Sequence, residues 1–268
     1  MYILKRFFCL YFIINYLFCF DIRTNLSTSK SNPNPINNPH IIAVMVEFSD
    51  DNNGLTSGNG LFLDSLYSID MIWDTTLIRC DQFIVDRPPH DVDYFSSQIQ
   101  SVSNYFSSVS NNNIDISGSI VINPNSEKGY YTLDNDMEFY SYSDSRLSLL
   151  FKESLELSKD DIEEYLETSE INFDNIIFTV FHAGIGQDFS FPTFDPTVYD
   201  IKSAYIEAEM FGSIEYPMIN GNTVSSGLLL PETQNMIFFN SIEDIFYGDS
   251  TYCDYQLGMI GTFSFLMG

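Results

Sequence analysis

The chain has 268 residues, room for one large domain or two small ones, and 44% of them are apolar, enough for a sizeable core. Against 11 Lys and Arg stand 37 Asp and Glu, a net charge of −26. So acidic a surface repels phosphate backbones and anionic lipid, which excludes nucleic-acid binding; cations, basic partners or plain solubility in a salty or extracellular medium are what it allows.

Lys5 and Arg6 precede an apolar run from Phe7 to Phe20, broken only by Asn15. That run is shorter than the roughly 20 apolar residues a membrane span needs, and it predicts a secretory signal peptide over residues 1–20. An uncleaved anchor is the alternative, and only through it would the protein touch a membrane. The expected location is therefore outside the cell or in its envelope. Residues 21–39 are polar, with Pro33, Pro35 and Pro39 among Ser and Asn, and read as a flexible leader. A single domain is expected over 40–268. Cys9 and Cys19 fall in the signal. Cys80 and Cys253 remain, and in an exported chain they are either a disulfide or two separate buried thiols.

His40 to Phe48 is nearly continuous in apolar and β-branched residues, as a buried strand requires. A turn cluster follows from Ser49 to Gly60; its acids do not keep the spacing of a calcium loop. Residues 61–89 are irregular, hold Trp73 and end at Pro88-Pro89. From His90 to Ser110, Phe95, Ile99, Val102, Phe106 and Val109 recur in steps of three and four, one face of a helix. Ile114–Ile122 predicts a strand closed by Asn123-Pro124-Asn125. Ser145–Leu166 predicts one helix or two. Ile176–Phe181 is the clearest central strand, with the turn His182-Ala183-Gly184-Ile185-Gly186-Gln187-Asp188 after it. Further strands are expected over Ser203–Glu209 and Val224–Leu230, and a helix from Leu257. Strands alternating with helices give an α/β class with a mixed sheet and packed helices.

Three histidines are available for chemistry: His40, His90 and His182. No two lie within one helical turn, so the paired histidines of HExxH are missing. For each, a hydrogen bond that caps or ties an element is the simpler role. His182 has the strongest functional claim. It ends a central strand beside Gly184, Gly186 and Asp188, where open α/β sheets place ligands. Neither GxSxG, GxGxxG nor a phosphate-loop pattern is present.

Several segments, in order, are similar to the immune-inhibitor-A-type secreted metallopeptidases, which are zincin-like. They are Ile42–Phe48 with Leu55–Gly60, Pro88–Asp91 with Tyr94-Phe95, and Ser103–Ser110. Phe181–Asp188, Gly227–Thr233 and Leu257–Thr262 complete the set. The resemblance implies a zincin-like sheet truncated at its active-site helix, with the domain incomplete at its C-terminus, and, for the family, zinc-dependent hydrolysis of peptide bonds. Laid on this chain, the first zinc ligand falls at Phe265 and the catalytic acid at Leu266. Phe cannot bind zinc, and Leu cannot take a proton from water. The expectation is thus a silent or fragmentary relative, with no catalytic residue, no metal ligand and no cofactor of its own. The alternatives are a peptide- or cation-binding protein, an envelope protein on an inherited fold, or an active peptidase if the full-length chain supplies other ligands.

Overall fold

The computed structural model describes residues 38–49, 51, 53–65, 86–188, 197–234, 237–239, 253–256 and 259–267. All belong to one compact unit, Asn37–Gly268. The expected signal peptide, the leader up to residue 37, Trp73 and Cys80 lie outside the described residues, and with Cys80 goes the choice between a bridge and two thiols.

The expected α/β class is what forms: a mixed sheet with helices on both faces. Its strands are β1 (His40–Glu47), β2 (Ser117–Val121), β3 (Tyr131–Thr132), β4 (Ile176–Ile185), β5 (Ala204–Ile206) and β8 (Gly227–Thr233). The order is β2-β1-β4-β8-β5, with β3 also paired to β1. All pairs are parallel except β5 with β8. Ile41 to Val46 are fully buried. This is why β1 reads as an unbroken apolar run rather than an alternating one: it is covered on both faces. Two short ribbons stand outside this sheet, β6 (Met218–Ile219) with β7 (Asn222–Thr223), and β9 (Ile237–Phe239) with β10 (Cys253–Gln256).

Helix α1 (Val92–Val109) begins where Asp91 accepts the Tyr94 amide at 3.0 Å. A carboxylate there satisfies an orphan donor and suits the helix dipole. Phe95, Gln98, Ile99 and Val102 are its buried stripe. The stripe leaves the core at the last turn, where Val109 is exposed. Asn111 and Asn112 then take positive φ, which ends the helix. Ile99 rests so close on β2 that a Cβ on Gly118 would come within 2.8 Å of it.

Helices α2 (Met137–Ser141), α3 (Asp144–Leu157), α4 (Lys159–Thr168) and α5 (Ala208–Phe211) follow, and α6 (Met259–Met267) is the last. Phe181 of β4 stacks on Phe95 of α1 at 4.5 Å and meets Phe263 of α6 edge-on at 5.7 Å. Helices α1 and α6 therefore share one face. Gly227 faces the other way, where a Cβ would come within 2.4 Å of Phe151 of α3. Neighbours along a strand point to opposite faces, so His182, next to Phe181, joins the α2–α3 side with Phe48 and Tyr140.

Several expected boundaries move. Of the one or two helices expected over 145–166, two form, meeting at Ser158. The strand expected over 203–209 stops at Ile206, and Ala208–Phe211 turns helical. The strand expected over 224–230 sits three residues later, as β8. The expected turn after Phe181 does not begin there: β4 runs on to Ile185 and takes His182 and Gly184 into the sheet.

Candidate functional site

Buried polar residues gather at the carboxyl ends of β4 and β8: His182, Glu232, Thr233 and Gln234. Between His182 and Ile185 the β4–β8 register slips: three steps on β4 face two on β8. The extra residue is a bulge, with Gly184 at φ +96°. Glycine suits that position, because L side chains rarely adopt so positive a φ. The bulge frees backbone donors from the ladder, and side chains take them. Gly184 N donates to Glu232 Oε1 at 2.7 Å, and Ile185 N donates to Ser57 Oγ at 2.8 Å.

Glu232, 1% exposed, is the centre of this arrangement. Its Oε2 accepts from Leu63 N at 2.9 Å and from His90 Nδ1 at 2.7 Å. His90 Nε2 lies 3.2 Å from the Asp86 carbonyl. His90 N donates to Leu63 O at 2.8 Å, and the Tyr94 hydroxyl donates to the Glu232 carbonyl at 2.9 Å. The Tyr94 ring stacks on His90 at 4.3 Å. Burial, followed by the charges of Asp86 and Glu232, pushes the Tyr94 phenol upward and keeps it a donor. The Asp86 carboxylate accepts from Thr233 Oγ1 at 3.1 Å and from Met259 N, at the head of α6, at 2.9 Å. Burial pushes Asp86 up, and these donors oppose the shift. One carboxylate thus ties β4, β8, the 61–64 segment and His90 together, and Asp86 extends the tie to α6. Each Glu232 oxygen is engaged by donors of the protein itself, so its role is to hold structure.

His182 is fully buried and sits edge-on to Phe48. Its Nδ1 donates to the Ala183 carbonyl at 2.9 Å, while Nε2 has no hydrogen-bond partner. Burial holds its pKa down at about 4, so the ring is neutral at ordinary pH. The four residues of the expected ligand turn have different hydrogen-bond partners. His182 points to the α2–α3 side, while Gly184 serves the Glu232 carboxylate. Gly186 N donates to Thr233 O at 3.0 Å. Asp188 accepts from both the amide and the hydroxyl of Ser203 and from the Gln234 amide. His40 bonds Ser117 Oγ at 2.8 Å and the Tyr165 hydroxyl at 3.2 Å. Among the described residues, no group of three or more His, Cys, Asp and Glu is gathered as a metal would need.

Helix α6 forms within the stretch from Leu257 where a helix is expected. Met259 and Phe263 are buried, Leu266 is half-buried against the core, and Phe265 is 66% exposed. The two positions therefore present hydrocarbon, one to solvent and one to the core.

A surface groove lies beside the Glu232 network. It has two lobes, of about 440 and about 360 Å³, which share Asp64, Glu127, Lys128 and Tyr130. The first lobe reaches Glu47, Leu61 and Phe62; the second reaches Pro89, Val92, Asp91 and Asp93. It thus opens beyond the carboxyl end of β1 and beside the start of α1, the kind of place where α/β sheets hold ligands. Its walls are tied to the network: Leu63 bonds Glu232 and His90, and the Tyr130 hydroxyl donates to the His90 carbonyl at 3.2 Å. Glu47 accepts the Phe62 amide at 3.0 Å, and burial pushes its carboxyl up. Neither Glu232 nor Glu47 is among the candidate residues expected from the sequence. The signal was there: each is the one acid at the end of an otherwise apolar run, Gly227–Pro231 and Ile41–Val46.

Comparison of the chain with protein-family models, curated proteins and solved structures found no match in any of the three. Among the described residues, no helix is long and apolar enough to cross a membrane.

Proposed function

We propose that this chain is a catalytically silent relative of the secreted zinc peptidases, exported through residues 1–20 and retained without hydrolysis. The observation that carries the reading is the pair Phe265-Leu266 on α6, hydrocarbon where a zinc ligand and a proton acceptor are required. The mixed sheet with α6 laid on it supports the zincin-like assignment. The test is metal analysis of the purified chain together with hydrolysis of a generic protein substrate, with and without a chelator. The expected result is no stoichiometric zinc and no chelator-sensitive cleavage; either one refutes the reading.

A second reading is a secreted or envelope module that binds a peptide or a cation. The acid-lined groove favours it, since a fold freed from catalysis retains a surface that complements basic partners. Binding of a basic peptide that falls away with salt would support it.

A further inference from the structure

We propose that the groove across Asp64, Glu127 and Tyr130 is a docking site for an extended basic peptide. One cationic side chain would sit in the Glu47 lobe and another in the Asp91–Asp93 lobe. The inference deepens the binding reading above and rests on it.

Three features point to this occupant. The first is charge. Among the described residues, the lining carries Glu47, Asp64, Asp91, Asp93 and Glu127 against one cation, Lys128. Lys128 pairs with Asp64 at 3.5 Å, and the side chains are 54% and 62% exposed. A pair that open is held weakly, so an incoming Lys or Arg can take its place. The second is the apolar lining. Leu61 is 43% exposed, and Pro89 and Val92 line the second lobe. Lys and Arg lay their methylene stems on such surfaces while the head stays with carboxylates. A bare metal ion makes no use of Leu61. The third is shape. The carboxylates are spread over two connected lobes, which suits a chain of residues. A divalent ion wants its oxygens converging within about 2.6 Å of one point.

The whole surface is acidic, so a local site must be separated from diffuse attraction. The probe is a fluorescent pentapeptide alternating Arg with Leu, titrated by anisotropy against the full chain at low salt. Asp64→Asn with Glu127→Gln removes two charges at the groove. Glu167→Gln with Glu170→Gln removes two from exposed positions outside it. The groove pair is expected to weaken binding roughly tenfold, two exposed charge contacts of ordinary strength, and the control pair less than about twofold. Leu61→Ser is expected to weaken the peptide with no change of charge, and Lys128→Met to tighten it. Melting curves for each variant establish that it is folded.

Equal losses from the two double variants would overturn the groove and leave the binding reading standing. Absence of any binding would overturn both. Displacement of the peptide by calcium chloride with no effect of Leu61→Ser would replace the peptide by a cation.

Discussion

Replacing Glu232 by Gln keeps the volume and removes one acceptor oxygen. The native carboxylate serves three donors: Gly184 N, Leu63 N and His90 Nδ1. An amide can present its oxygen to one side only. Its NH₂ then faces either the freed donor of the β4 bulge or the two donors of the 63–90 side. Both outcomes leave a buried donor facing a donor, at about 1–3 kcal/mol for each unsatisfied group. The substitution also loosens the contact with His90, whose side chain is fully buried. A loss of about 1–3 kcal/mol corresponds to a fall in Tm of roughly 2–12 °C for a unit of this size. Urea unfolding followed by circular dichroism reads the loss directly, with the slope checked for constancy. His90→Leu completes a double-mutant cycle. In His90→Leu/Glu232→Gln the amide oxygen can serve one backbone donor and no imidazole remains to be satisfied. The double variant should therefore lose at least about 1 kcal/mol less than the sum of the singles. Additivity within about 0.5 kcal/mol, or a Glu232→Gln loss below about 1 kcal/mol, would refute the account of Glu232 as the tie between β4, β8 and the 61–64 segment.

His182 has a native pKa of about 4 because burial disfavours its cation, against an ordinary value of 6.5. Above pH 6.5 both states hold it neutral and it does not affect the balance. Between pH 6.5 and 4 the unfolded chain takes up the proton first, so stability falls as pH falls, by about 3 kcal/mol at the lower end. The raised carboxyls of Asp86 and Glu47 tilt the same window the other way, so the measurement is a difference. The wild-type chain should lose about 3 kcal/mol more than His182→Leu between pH 7 and 4; parallel curves would show that the ring is not neutral and buried. On α6, Phe263→Ala should cost about 3–5 kcal/mol, while Phe265→Ala should change stability by less than about 0.5 kcal/mol. Similar losses at the two positions, read from urea midpoints, would mean that the helix presents another face to the core.

The elements with strong local patterns were legible in the sequence. The apolar run of β1, the stripe of α1 from Phe95 to Val102, and the start of β4 at Ile176 are periodicities that one segment displays by itself. The break at Ser158 was open between one helix and two, because apolar spacing continues across it. The extension of β4 through His182 and Gly184 was not legible. A Gly-rich sequence reads as a turn, and only pairing with β8 and the bond to Glu232 make it a bulge.

The sequence by itself determined the α/β class, the acidity of the surface, and the hydrocarbon at Phe265 and Leu266, because composition and short-range periodicity require no partner. Tertiary structure alone decided what the polar residues do. Glu232 meets His90 across 142 positions and Leu63 across 169, and Asp86 reaches Met259 across 173. No local signal encodes such meetings. They exist because folding buries these groups together, and a buried donor or charge must find its partner wherever the chain brings one.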